Sequence, residues 1–133
     1  LLKDVITNGT ARKAKILKRP DMAGKTGTTN DLIDAWFAGF NSDIVTVTWM
    51  GYDQPKSLGN KETGSRAALP IWIDYMKPLL KNYPIKNQVK PEGITPLKIN
   101  KKTGMTKNAD EDGFFEYFYE EYPPYDNSYF VIN

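Results

Sequence analysis

Apolar and polar positions follow two clear rhythms along the first half of the chain. Between Ala35 and Phe40 every residue is apolar or glycine, with Trp36, Ala38 and Phe40 on one face and Ala35, Phe37 and Gly39 on the other. With no polar face, this segment predicts a strand buried on both sides. Residues 44–49 set Ile44, Thr46 and Thr48 opposite Val45, Val47 and Trp49, the β-branched pattern of a second strand. Farther on, Ala67, Ala68, Ile71, Trp72, Tyr75, Met76, Leu79 and Leu80 recur at helical spacing and predict a helix with a wide apolar stripe. Thr63 suits its N-cap, Pro70 falls early where a missing N–H costs least, and Asn82-Tyr83-Pro84 ends it.

The connections complete the picture. Residues 1–8 look like the end of a helix, stopped by Gly9. Residues 10–21 form a basic connector, 22–28 a short strand, and Thr29-Asn30-Asp31 a turn. Asn41-Ser42-Asp43 is a second turn. Links this short join antiparallel neighbours, so three strands in a meander are expected. Trp36, Phe37 and Phe40 read as strand core, and Trp49 and Trp72 as packing between sheet and helix. The predicted class is α/β in the α+β sense: an antiparallel sheet packed by helices.

Beyond Pro84 the character changes. Prolines at 84, 91 and 96 and glycines at 93, 104 and 113 punctuate short segments. Residues 94–100 and 103–105 predict a small hairpin. Residues 114–122 are aromatic and acidic, and Tyr117, Tyr119, Tyr122, Tyr125 and Tyr129 read as part of a packed or irregular extension more economically than as a glycan-stacking surface. The expected division is 1–83, a sheet-and-helix portion, and 84–133, an extension.

Composition narrows the chemistry. The 133 residues are 40% hydrophobic and 26% charged, a globular balance with net charge +2. That charge makes no case for nucleic acid. It is unevenly spread: residues 1–30 are basic (Lys3, Arg12, Lys13, Lys15, Lys18, Arg19, Lys25), and 107–126 are acidic. With no cysteine and no histidine, disulfides, cysteine-type zinc sites and a self-contained Ser-His-Asp triad are excluded. No metal or other cofactor is expected. No apolar run reaches the length of a membrane span, and no signal peptide is visible. The start at Leu1-Leu2-Lys3 reads as a piece of something longer.

The stretch that carries chemistry is Ala23-Gly24-Lys25-Thr26-Gly27-Thr28-Thr29-Asn30-Asp31. Lys-Thr-Gly alone is a weak signal. Here it sits among Gly9-Thr10-Ala11, Asp34-Ala35-Trp36-Phe37-Ala38-Gly39-Phe40, Trp49-Met50-Gly51-Tyr52-Asp53, Glu62-Thr63-Gly64 and Ala68-Leu69-Pro70-Ile71-Trp72, all in order. Together they resemble the last third of the transpeptidase domain of class A (bifunctional) penicillin-binding proteins, of the 1A type. The resemblance is strong over 5–80. It is weaker over 81–133, where Ile99-Asn100, Thr103-Gly104 and Phe114-Phe115-Glu116-Tyr117-Phe118 match the family's extension.

That resemblance implies an edge strand beside a nucleophilic serine, to which a substrate peptide adds as a further strand. It implies that Lys25 supplies a cation for the substrate carboxylate and the deprotonated serine. Gly27 would clear space for the peptide. The Thr26 and Thr28 hydroxyls would hold the terminal carboxylate of a D-Ala-D-Ala stem peptide or of a β-lactam. The Thr28 N–H would be one oxyanion donor. The family's serine lies in a Ser-x-x-Lys motif and is paired with a Ser-x-Asn motif. Ser42, Ser57, Ser65 and Ser128 are followed three places on by Val45, Asn60, Ala68 and Val131, and no Ser-x-Asn occurs. The nucleophile is therefore expected upstream in the same protein, and this chain alone is expected to be inactive. The family also implies a glycosyltransferase domain, a membrane anchor absent here, and a place on the periplasmic face of the bacterial inner membrane. A serine β-lactamase or D,D-carboxypeptidase, and a non-catalytic scaffold of the same fold, are the alternatives.

Overall fold

Three short strands and two helices make the first of two compact units, Leu1–Gln88; the second is Val89–Asn133. A computed structural model of the chain describes residues 1–87, 89–100, 102–106 and 112–124. Helix α1 (Leu2–Thr7) leads through a 3-10 turn (Arg12–Leu17) into β1 (Ala23–Thr28), β2 (Ala35–Phe40) and β3 (Val45–Met50). The strands pair antiparallel in the order β1-β2-β3, with Lys25 opposite Ala38, Gly27 opposite Trp36, and Trp36 opposite Trp49. The meander follows from the brevity of its turns. At the second turn Asn41 Oδ1 accepts from the N–H groups of Asp43 and Ile44, both at 2.9 Å. A π turn (Gly64–Ala68) then feeds α2 (Leu69–Leu79), with proline in its first turn.

Among the described residues, one sheet face is covered. Phe37 meets Trp72 edge-on at 4.9 Å, and both are fully buried. Gly39 makes room for that indole, since a Cβ there would lie 2.3 Å from Trp72 Cζ2. The Thr46 hydroxyl donates to Met76 Sδ at 3.4 Å. The other face of β2 is open, contrary to the strand buried on both sides that its apolar run predicts. Trp36 is 42% exposed and Trp49 45%, and their rings lie 6.1 Å apart. Trp49 thus lies on the face away from α2 and does not pack between sheet and helix. Apolar residues on both faces say that both can be covered; the described elements cover one.

The buried face of α2 keeps Trp72 and Met76 of the predicted stripe but not Ile71 and Tyr75. Leu69, Trp72, Ile73 and Met76 are buried, whereas Ile71 and Tyr75 are 48% and 57% exposed. The π turn before the helix holds more residues per turn than an α-helix. A stripe extrapolated from Ala67 and Ala68 therefore loses phase on entering α2.

A buried ion pair ties the unit's ends together. Arg19 donates to Asp21 through two parallel bonds, Nε to Oδ1 at 2.8 Å and Nη2 to Oδ2 at 2.6 Å. Its remaining N–H groups reach the carbonyls of Leu80, Tyr83 and Pro84 just beyond α2, where helix carbonyls lack partners. Asn41 Nδ2 donates to Asp21 at 3.3 Å. The hydrogen bonds from Arg19 hold the Asp21 carboxyl below its usual range against the opposing pull of burial, and the same bonds raise the guanidinium.

In the second unit β4 (Ile94–Ile99) pairs antiparallel with β5 (Phe114–Tyr119), Lys98 lying opposite Phe115. The expected hairpin of 94–100 with 103–105 is thus replaced. The chain does turn back after Ile99, with Asn100 N–H donating to Met105 O at 2.9 Å and a bridge between Ile99 and Thr106. The strand-length partner, however, is the aromatic segment, whose alternation supplies a continuous ladder. Phe115, Tyr117 and Tyr119 face solvent. Tyr125, Tyr129, Ser128 and the acids at 110, 111 and 126 lie outside the described residues.

Candidate functional site

Lys25, Thr26, Gly27 and Thr28 occupy the second half of β1, an edge strand among the described residues. Their backbone direction follows from the hydrogen-bond alternation of antiparallel pairs. Thr29 N–H donates to Asp34 O at 3.1 Å, and Asn41 N–H to Ile44 O at 3.0 Å. Counting back in twos from Thr29, Gly27 and Lys25 bond to β2. The N–H and C=O groups of Thr26 and Thr28 consequently point to the open edge. Lys25 bends toward that same edge, its Nζ donating to Thr26 O at 2.8 Å. A cation and two outward N–H groups therefore line one short stretch of strand.

The two hydroxyls lie on the helix-covered side. Thr26 Oγ1 is 2.8 Å from Thr10 Oγ1, at the end of the connection from α1. Thr28 Oγ1 accepts from Gly64 N–H at 3.0 Å. Gly64 begins the π turn and lies flat against the ladder: a Cβ there would be 2.4 Å from Trp36 O and 2.5 Å from Gly27 O. Gly27 faces the open side, where a Cβ would come within 3.1 Å of Trp36 Cβ.

The turn after Thr28 is locked by residues that the sequence shows only as flanks. Asp34 N–H donates to Thr29 Oγ1 at 2.8 Å, and Asp34 Oδ1 accepts from Trp49 Nε1 at 2.9 Å. Gly51 lets the indole lie down, because a Cβ there would be 2.4 Å from Trp49 Cζ2. Asp31 and Leu32 take positive φ in this turn, at 58° and 56°, and Leu58 N–H donates to Leu32 O at 2.8 Å. Thr10, Asp34 and Gly64 belong to the quoted motifs, yet nothing in their spacing assigns them these contacts. The structure thus brings all four predicted residues to one edge and adds Thr10 and Gly64.

Other places offer less chemistry. A cavity of about 360 Å³ lined by Met50, Gly51, Tyr52, Leu58, Glu62 and Ala67 contains no β1 residue. No cluster of three potential metal ligands occurs among the described residues. No described helix is long and apolar enough to cross a membrane.

No family model matches the chain. Individual proteins do. The chain is 50% identical over 125 residues to penicillin-binding protein 1A of Pseudomonas aeruginosa, covering 93% of this chain and 15% of that protein. It is 53% identical over 103 residues to penicillin-binding protein 1A of Aquifex aeolicus, covering 77% of this chain and 14% of the relative. A crystal structure of penicillin-binding protein 1A from Haemophilus influenzae superposes with a TM-score of 0.87 at 35% identity, over 94% of this chain and 20% of that one. The chain therefore spans only a small part of the length of the relatives it matches. Half-identity along most of the sequence, with the same antiparallel α+β fold, makes this chain a member of the penicillin-binding protein 1A family.

Proposed function

We propose that this chain forms the substrate-binding wall of a serine D,D-transpeptidase that cross-links peptidoglycan stem peptides and is acylated by β-lactams. The observation that carries the reading is the outer edge of β1, where Lys25 and the N–H groups of Thr26 and Thr28 converge. An extended peptide ending in D-Ala-D-Ala would add along this edge by main-chain hydrogen bonds. Its terminal carboxylate would be held by Lys25 and the Thr26 and Thr28 hydroxyls. The Thr28 N–H, pointing outward, would stabilise the oxyanion as a serine from outside these residues attacks the penultimate carbonyl. D-Ala leaves, and the acyl group passes from the serine to an amine of a neighbouring stem peptide. One oxyanion donor is typically worth roughly 10²–10³ in rate. The parent protein's glycosyltransferase activity, its membrane anchor and its periplasmic location belong to the same proposal.

The test is labelling by a fluorescent penicillin of a full-length penicillin-binding protein 1A carrying this sequence, followed by a denaturing gel. Covalent label is expected on the parent protein, and none on the isolated 133-residue chain. Lys25→Ala and Thr26→Val should each slow labelling at least about tenfold, the loss of a hydrogen bond to a charged group. Labelling of a folded parent that is indifferent to both substitutions would overturn the assignment. No label on folded wild type would favour a non-catalytic scaffold, and rapid turnover of the label a β-lactamase.

A further inference from the structure

We propose that Thr10 and Gly64 are positioning residues that hydrogen-bond to the hydroxyl oxygens of Thr26 and Thr28, so that both hydroxyls act as supported donors to an anionic ligand at β1. The inference rests on the reading of β1 as the substrate-binding strand. It names what prepares that strand for a carboxylate.

A threonine hydroxyl has a single proton and two lone pairs, and a backbone N–H can only donate. Gly64 N–H donates to Thr28 Oγ1 at 3.0 Å. That contact fills a lone pair of Thr28 and leaves its proton for another acceptor. Gly64 can do this because it lies flat on the ladder, where a Cβ would meet the carbonyl oxygens of Trp36 and Gly27 at 2.4 and 2.5 Å. Its N–H is also one of the first in a helical segment, which have no acceptor within the helix.

Thr10 plays the corresponding part for Thr26. Their oxygens lie 2.8 Å apart, so one hydroxyl donates to the other. Once an anion accepts the Thr26 proton, Thr10 has to be the donor. Thr26 then accepts from Thr10 and donates outward, as Thr28 accepts from Gly64 and donates outward. Both hydroxyls can thus offer their proton to a carboxylate while their own oxygens stay hydrogen-bonded. Without Thr10, a Thr26 hydroxyl that donates to the anion accepts no hydrogen bond from that side.

The experiment uses the full-length protein and two ligands, benzylpenicillin and its uncharged methyl ester. Acylation is measured for wild type, Thr10→Val, Thr10→Ser and Thr26→Val, with binding and chemical steps separated and thermal midpoints recorded. Thr10→Val is expected to weaken benzylpenicillin acylation about 3- to 10-fold, the scale of one net hydrogen bond. The loss should fall on the binding step, with the ester changed less than about twofold and Thr10→Ser close to wild type. The ratio between the two ligands does not depend on the fraction folded, so partial misfolding leaves the test intact. Equal losses on both ligands, or an unchanged ratio in Thr10→Val while Thr26→Val shifts it, would overturn this inference alone. An unchanged ratio in Thr26→Val as well would overturn it together with the carboxylate role of β1.

Discussion

At the scale of single residues, Arg19 is the clearest stabilising group outside β1. Its side chain is 7% exposed and that of Asp21 2%, so neither charge is paired in water. Removing one partner of such a pair strands the other, at a cost of about 3–5 kcal/mol. Arg19→Ala should show that loss in denaturant unfolding. Arg19→Lys should recover little of it, because a point charge cannot reproduce the two-bond fork or reach three further carbonyls. The pH dependence has a definite sign. The folded Asp21 carboxyl is held below the unfolded value of about 3.9. Its contribution is therefore complete above that value and disappears as pH falls through the lower folded one. Stability should decline on acidification below about pH 4, and Asp21→Asn should flatten the decline. None of this is legible in the sequence, where Arg19 is one of several basic residues in a connector. Its carbonyl acceptors lie more than sixty residues away.

Elements were more legible than their orientation. Turn chemistry and strand composition located β1, β2 and β3 to within a residue, because Asn41-Ser42-Asp43 and Thr29-Asn30-Asp31 leave the chain little alternative. Lys25, Thr26, Gly27 and Thr28 fall on β1 with them, since spacing along one strand is a local property. What sequence could not supply were Thr10 and Gly64, whose contacts join α1 and the π turn to β1 across the fold. The offset in the buried face of α2 was hidden for a related reason: a π turn leaves no compositional mark, yet Leu69 and Ile73 lie inward and Ile71 and Tyr75 outward. The shift predicts opposite outcomes for adjacent residues. Met76→Ala, at a fully buried position against Thr46, should cost about 2–5 kcal/mol. Tyr75→Ala should stay within about 0.5 kcal/mol. Thermal or denaturant midpoints of the two variants distinguish this face from the one that simple periodicity draws.

For the molecule as a whole, the decisive fact is a sheet that the described residues pack on one face and leave open on the other. Trp36, Val45, Val47 and Trp49 share the open face, each at least two-fifths exposed. β1 and β3 are both edge strands among the described residues. An apolar face bounded by unpaired strand edges is the arrangement that soluble proteins ordinarily cover or charge. The sequence shows that both faces of β2 are apolar, but coverage depends on what packs there, which no local pattern encodes. The isolated 133-residue chain should consequently self-associate in a concentration-dependent way. Light scattering across a dilution series would measure it. Replacing Val45 and Val47 together by threonine keeps β-branching and strand propensity while adding a polar group to the open side. That variant should associate more weakly at an unchanged thermal midpoint. A lowered midpoint would instead mean that these valines contribute to the packed core. A wild-type chain that stays monomeric at all concentrations would mean the open face is smaller in solution than its exposed side chains imply.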